Sequence, residues 1–274
     1  MHWISDTASE ELVEYLIEQF PKSAEVKNKE EALPIHIACN KGLPLNVIRL
    51  LHEAYPNGIL QPDKEGVLPI HDACEGSPNL ELVKLFYEVA PASFKKADNK
   101  GNLALHHAVC SAPEVIQFII EANKLALQKP NNSGYLPIHI ACRLSAKTNV
   151  IKTLHENYPE GIKVKTSKGF SPFHLAMTSL PTLTYLHKLF DEAIEIPDKR
   201  GRYPIHIACE KGSLNPRAFL QIKLTLLIYF IERCPIRCHC LPCRKNVQQQ
   251  HKKPTAPTCC PFITLLRATC HLPP

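Results

Sequence analysis

The apolar positions of this chain fall into a repeating pair of patterns. A compact block opens each pair: Leu33-Pro34-Ile35-His36-Ile37-Ala38-Cys39, Leu68-Pro69-Ile70-His71-Asp72-Ala73-Cys74, Leu136-Pro137-Ile138-His139-Ile140-Ala141-Cys142 and Tyr203-Pro204-Ile205-His206-Ile207-Ala208-Cys209. Two copies are looser, Leu103-Ala104-Leu105-His106-His107-Ala108 and Ser171-Pro172-Phe173-His174-Leu175-Ala176. The six histidines stand 35, 35, 33, 35 and 32 residues apart. Each block predicts a short helix, because proline fits a first helical position where its missing N–H costs nothing. The small Ala-Cys pair lets a neighbouring helix come close. Gly42, Gly76 and Gly212 end the helix in three copies. A second apolar run follows at helical spacing, Leu45, Ile48 and Leu51 in one copy and Leu82, Leu85 and Phe86 in the next. Pro56, Pro91 and Pro159 close it. A polar turn with glycine comes last: Asp63-Lys64-Glu65-Gly66, Asp98-Asn99-Lys100-Gly101, Asn132-Ser133-Gly134, Ser167-Lys168-Gly169 and Asp198-Lys199-Arg200-Gly201. Glycine suits a tight bend with positive φ.

No single unit of this kind can bury its apolar face alone, whereas stacked units share a continuous core. The pattern therefore predicts an all-α solenoid of helix–turn–helix repeats. Over roughly residues 8–235 the phrase Asp-x-x-Gly-x-x-Pro-Ile-His-x-Ala-Cys resembles the ankyrin repeat. That resemblance implies paired antiparallel helices with short projecting β-turn fingers, and partner proteins bound along the groove between fingers and inner helices. It also implies that Pro34, His36, Pro69, His71, His106, Pro137, His139, Pro172, His174, Pro204 and His206 are structural, the histidines bonding finger backbone. Two departures stand out. The family's threonine before the proline is Leu33, Leu68, Leu136 or Tyr203 here, and only Ser171 keeps a hydroxyl. A lost hydroxyl cap is expected to cost about 1 kcal/mol per helix. The family's glycine after the outer helix is replaced by Tyr55-Pro56 and Tyr158-Pro159.

The ends deviate. Residues 11–21 shifted by 35 fall on the first complete outer helix, Val13 on Ile48, Leu16 on Leu51 and Pro21 on Pro56. The array thus begins with a half repeat, Ser9–Phe20, with Trp3 and Ile4 available to cover the first inner helix. Six units follow, the last with an eight-residue insertion at 216–223, so that the array spans 1–235. Residues 236–274 read as a disordered, irregular Cys/Pro-rich tail. Phe219–Ile231 is too short and too interrupted by Gln221 and Lys223 for the roughly 20 residues of a membrane span.

Charge separates the same two parts. The chain carries +6, yet residues 213–274 hold nine basic residues and one acid, and the first 212 hold 23 basic and 25 acidic. A nearly neutral array favours protein partners over nucleic acid. Met1–Asp6 has no basic start and no long apolar run, so no secretory leader is expected, and the chain is assigned to a reducing cytoplasmic or nuclear compartment with free thiols. Cys39, Cys74, Cys110, Cys142 and Cys209 are expected to pack between repeats. In the tail, Cys234-x3-Cys238-x-Cys240-x2-Cys243 has spacing compatible with zinc or copper, and the same cysteines amid cations could be acylated; a gene end unshaped by selection reads the same way.

The histidines recur once per unit, about 10 Å apart along the stack, too far to share one metal at bonds of about 2 Å. No phosphate loop, nucleophile elbow, zinc-protease helix or dinucleotide fingerprint is present, and no cofactor is expected. The chain reads as a monomeric, non-enzymatic protein-binding scaffold. A regulatory or targeting fragment of a larger protein, or an array carrying a metal-binding or acylated tail, are the alternatives. Groove residues are expected among Asp63, Lys64, Asp72, Asp98, Asn99, His107, Arg143, Lys199 and Arg200. Equivalent places (Asn40-Lys41, Glu75-Gly76, Ser111-Ala112, Arg143-Leu144, Thr178-Ser179, Glu210-Lys211) carry unlike chemistry, as a binding surface needs.

Overall fold

The structure, a computed structural model, describes residues 10–75 and 78–210, apart from the side chains of Ile205 and Cys209. Helix α1 (Glu10–Gln19) comes first and is followed by helical hairpins: α2 (Pro34–Asn40) with α3 (Leu45–Ala54), α4 (Pro69–Glu75) with α5 (Leu80–Val89), α6 (Ala104–His107) with α7 (Pro113–Ala122), α8 (Pro137–Arg143) with α9 (Thr148–Asn157), and α10 (Pro172–Leu175) with α11 (Leu180–Leu189). Helix α12 (Pro204–Glu210) opens a further unit. Inner helices stack on inner helices and outer on outer, so the core is a sheet of side chains between two helical layers. Among the described residues there is no strand, and no helix is long and apolar enough to cross a membrane. The expectations for Trp3, Ile4, Gly76, Gly212, the 216–223 insertion, Phe219–Ile231 and the 236–274 tail lie outside the described residues.

Each outer helix buries its third, fourth and seventh residues: Val47, Ile48 and Leu51; Leu82, Val83 and Phe86; Val115, Ile116 and Ile119; Val150, Ile151 and Leu154; Thr182, Leu183 and Leu186. The apolar periodicity pointed to Leu45, but Leu45 is only half-buried and Val47 takes its place in the core. The inner helices contribute the Ala-Cys pairs, with Ala38, Cys39, Ala73, Cys74, Ala141 and Cys142 all at 2% exposure or less. A larger side chain there would separate neighbouring units. Helix α1 sits 35 residues before α3 and has the same length, as the half repeat requires, yet it buries no side chain among the described residues.

Two units are shorter than the rest, and the missing residues come from one place. Inner and outer helix starts are eleven residues apart in three hairpins, but nine in α6–α7 and eight in α10–α11. In those two, the inner α-helix stops after four residues and a 3-10 turn continues it, Ala108–Cys110 and Ala176–Thr178. A 3-10 turn rises about 2.0 Å per residue against 1.5 Å for an α-helix, so fewer residues cover the distance. Val109 takes the buried place of Cys39, Cys74 and Cys142, and Cys110 stands one residue later, at the place of Asn40. Cys110 was expected to pack between repeats; it is exposed, unlike Cys39, Cys74 and Cys142.

Helices α2 and α8 end in a left-handed residue. In α2 the Leu43 N–H donates to the Ala38 carbonyl at 3.0 Å and Gly42 (φ 64°) donates to Cys39 at 3.1 Å. In α8 Ser145 (φ 55°) fills the position of Gly42 with the same two bonds. Outer helices end at Tyr55, Ala90, Asn123, Tyr158 and Phe190, all near φ −150°, ψ 80°, and a 3-10 turn follows each. The Tyr-Pro departure noted in the sequence now has a physical reason. A Cβ on Gly58 would lie 2.8 Å from the Tyr55 ring, and one on Gly161 would lie 2.9 Å from the Tyr158 ring. Where the aromatic is absent, as at Ala90, Ser93 fills the space and its hydroxyl donates to the Ala90 carbonyl at 2.6 Å.

Candidate functional site

The turns project from one edge of the stack as fingers, all built alike. In the second, Asp63 N–H donates to the Val67 carbonyl, Gly66 N–H donates back to Asp63, and the Asp63 carboxylate accepts from the N–H groups of Glu65 and Val67, both at 2.8 Å. Asp98, Asn131 and Asp198 repeat this arrangement at equivalent positions, and Thr166 makes half of it through its hydroxyl. The fourth residue must be left-handed, a place for glycine: Gly66, Gly101, Gly134, Gly169 and Gly201 lie at φ 74–84°. Glu31 holds the same place in the first finger at φ 58°.

Fingers are tied to one another by main-chain bonds. Lys64 N–H donates to the Glu30 carbonyl, Asn99 to Glu65, Asn132 to Lys100, Ser167 to Ser133 and Lys199 to Lys168, at 2.9–3.3 Å. Asn99 and Asn132 add side-chain amide bonds to Lys64 and Asn99 carbonyls.

The histidines brace this row from below. Nδ1 of His36, His71, His106 and His139 accepts the N–H of Leu33, Leu68, Leu103 and Leu136 at 3.0–3.1 Å. Nε2 of the same rings bonds the carbonyls of Val67, Lys96, Tyr135 and Val164 at 3.0–3.2 Å, in or beside the next finger. Since Nδ1 accepts, each ring is neutral with its proton on Nε2. Burial pushes His71, His106 and His139 down to about 4, and lowers His36 and His174 as well. His206 makes the first of these bonds, to Tyr203 N–H at 2.9 Å. As expected, no side chain replaces the lost hydroxyl cap at α2, α6 or α8, but a different donor is satisfied. The third helical residue reaches back to the backbone donor before the helix, which the absent hydroxyls would not have satisfied. The one retained hydroxyl, Ser171, does not cap either: it bonds His174 Nδ1 at 2.8 Å, and His174 Nε2 has no partner.

The concave surface between fingers and inner helices changes character along the stack. In the second and third units it is acidic and histidine-bearing. His107 Nε2 lies 3.2 Å from the Asp98 carboxylate and its Nδ1 lies 3.6 Å from Glu75, with the His71 ring stacked on it at 5.2 Å. Burial alone would raise Asp98, but hydrogen bonds from His107 and Asn102 hold it well below the usual carboxylate range. Asp72, half-buried beside Asp63 and Glu75, is pushed up to about 7, chiefly by burial and then by these like charges. In the fourth and fifth units aromatic rings take over, Arg143 lying 5.0 Å over Tyr135 and Arg202 lying 5.6 Å over Phe170. Arg202 also pairs with Asp198 and Glu210 at 2.9 and 2.8 Å.

These contacts sort the expected groove residues. Asp72, His107 and Arg143 lie together on the inner-helix side, half-buried or exposed. Lys64, Asn99, Lys199 and Arg200 are exposed at finger tips. Asp63 and Asp98 spend their carboxylates inside their own fingers, and Asp98 is 7% exposed. The position expected at Ser111 belongs to Cys110; Ser111 is buried, with its hydroxyl 3.4 Å from the Cys74 carbonyl. Sequence reasoning passed over Tyr135, Phe170 and Arg202. The signal was available: they occupy the variable place immediately before the Leu/Ser/Tyr that opens each block. Among the described residues, no group of three or more His, Cys, Asp and Glu side chains is placed to hold a metal ion. The buried thiols of Cys74 and Cys142 are raised well above their ordinary value by burial, which keeps them unreactive.

Residues 36–131 and 71–166 match the family model for ankyrin repeats. No curated protein matches the chain in sequence. Among solved structures, the fold is similar to a chain in the complex of the predatory endopeptidase Bd0816 from Bdellovibrio bacteriovorus with the immunity protein Bd3460, at 16% identity and a TM-score of 0.53, over 72% of this chain and 99% of that one. It is also similar to the ankyrin repeat domain of Bcl-3, a member of the IkappaB protein family, at 22% identity and a TM-score of 0.53, over 80% of this chain and 92% of that one. With the repeated phrase, the stacked fingers and the histidine braces, these matches make the chain a member of the ankyrin repeat family.

Proposed function

We propose that the array is a non-enzymatic scaffold that holds a partner protein along its concave groove. Ankyrin repeats are a general protein–protein interaction module. One observation carries the finer reading: the frame repeats while the groove does not. The residue after each histidine is Ile37, Asp72, His107, Ile140, Leu175 or Ile207, and the fourth residue after it is Asn40, Glu75, Cys110, Arg143, Thr178 or Glu210. They occupy equivalent places in the repeated phrase, so each unit contributes its own chemistry. Such a row can read an extended surface one unit at a time.

The test is capture of partners from a cell extract by the immobilised full-length chain and two variants. Asp72→Ala with Arg143→Ala changes the groove without touching a finger; Lys84→Ala with Glu88→Ala changes the outer helices. A partner kept by the wild type and the outer variant but lost by the groove variant, at unchanged helicity, supports the reading. Retention by the groove variant, or equal loss in both, overturns it.

A further inference from the structure

We infer that the tips of the fifth and sixth fingers form a cationic rim that receives an acidic segment of the partner; the inference rests on the scaffold reading above. Lys165, Lys168, Lys199 and Arg200 are all exposed there. Among the described residues none of them takes part in an ion pair, and the acid closest in sequence, Asp198, is 6% exposed and committed to Arg202 and its own finger. The Lys199 N–H donates to the Lys168 carbonyl at 3.2 Å, and a Cβ on Gly169 would lie 3.0 Å from Lys199 Cγ. The cations are therefore held side by side by the main chain.

The earlier fingers show what a neutralised tip looks like. Lys64 pairs with Glu30 of the preceding finger, and Lys100 pairs with Glu65 at 2.7 Å. Glu30 and Glu65 are the third residues of their fingers. The third residue is Ser133 in the fourth finger, Lys168 in the fifth and Arg200 in the sixth. The lysines of the pattern persist and their glutamates do not, which leaves like charges adjacent. Adjacent like charges cost the free protein stability, and an external anion removes that cost. A protein segment fits better than nucleic acid because the rim covers only two fingers. Beyond it, the earlier tips are neutralised as Lys64–Glu30 and Lys100–Glu65 pairs, so no cationic track continues for a polyanion to follow.

The experiment measures binding of a labelled oligo-glutamate peptide to the full-length chain by fluorescence anisotropy, beside a single-stranded oligonucleotide of matched charge. Lys168→Glu installs the Glu65–Lys100 arrangement three fingers further along, opposite Arg200, so the urea midpoint should hold or rise. Lys199→Gln with Arg200→Gln removes charge without reversing it. Both variants carry the basic tail unchanged, so the comparison isolates the fingers. The expected result is a loss of peptide affinity of about tenfold or more in each, with a shallower salt dependence. Unchanged peptide affinity overturns the proposal. An equal or larger loss for the oligonucleotide overturns it in favour of nucleic acid. If the finger variants lose the peptide yet still capture the partner that Asp72→Ala with Arg143→Ala releases, the scaffold reading stands and the rim is not part of that partner's site.

Discussion

His139 offers the cleanest test of the histidine braces, because burial lowers its pKa against the Val164 carbonyl bond, which raises it, and no charged neighbour intrudes. The folded ring titrates at about 4, while an unfolded one titrates at about 6.5. Between those values the unfolded chain takes up a proton that the folded chain refuses, so the brace stabilises above pH 6.5 and its contribution fades as pH falls toward 4. Over that whole window it is worth about 3 kcal/mol, and between pH 7.5 and 5.5 about 1.3 kcal/mol. The perturbation is His139→Gln. Glutamine at a third helical position can accept the Leu136 N–H as the ring does, and it does not titrate. Urea unfolding of the full-length chain at pH 7.5, 6.5 and 5.5 gives the readout. The advantage of wild type over variant should shrink by about 1.3 kcal/mol from pH 7.5 to 5.5, whatever its absolute size. Contributions from Asp72 and the other histidines cancel in the difference. Stability curves that run parallel across the range would refute the reasoning.

The other expectations concern packing and turns. Gly58→Ala should cost about 1–2 kcal/mol by pressing on the Tyr55 ring, and Gly58→Ser with Tyr55→Ala, which copies Ala90 and Ser93, should recover most of it; a double-mutant cycle by urea unfolding measures the coupling. Gly101→Ala should destabilise more than Gly201→Ala in thermal melts, since both have positive φ but only Gly101 faces Asn132, whose main-chain nitrogen would lie 2.8 Å from the new Cβ. Asp98→Ala should cost about 2–4 kcal/mol by orphaning the Lys100 and Asn102 N–H groups and His107. Asp98→Asn, which keeps one acceptor oxygen, should cost visibly less in the same unfolding assay.

The stack was legible in the sequence because its rules are local and repeated. Six histidine-centred phrases placed every inner helix, and the shift by 35 residues placed α1 ahead of any partner. What could not be read was compensation between positions far apart in the unit. Nothing in the phrase says that a histidine three residues on satisfies the backbone donor before the helix, because the bond is to backbone. Likewise nothing in the sequence places Gly58 and Gly161 against the rings of Tyr55 and Tyr158. The candidate groove was legible by position and not by role. Asp98 and Asp63 sit at the right place in the repeat, but carboxylates that hold their own finger together are not available to a partner. Arg143 was found, and the Tyr135 ring beneath it was missed, because the variable place before each block was given no role.

The tie repeated between every pair of successive fingers from the first to the sixth runs from main chain to main chain. A tip side chain can therefore be exchanged without breaking the link that holds its finger in register. Lys64, Asn99, Asn132, Ser167 and Lys199 all donate the same bond from the same place, though no chemistry unites them. Specificity and folding are then nearly independent variables at these positions. Mutation can rewrite what the rim displays one unit at a time, through a path of viable intermediates, while the stack that carries it stays intact.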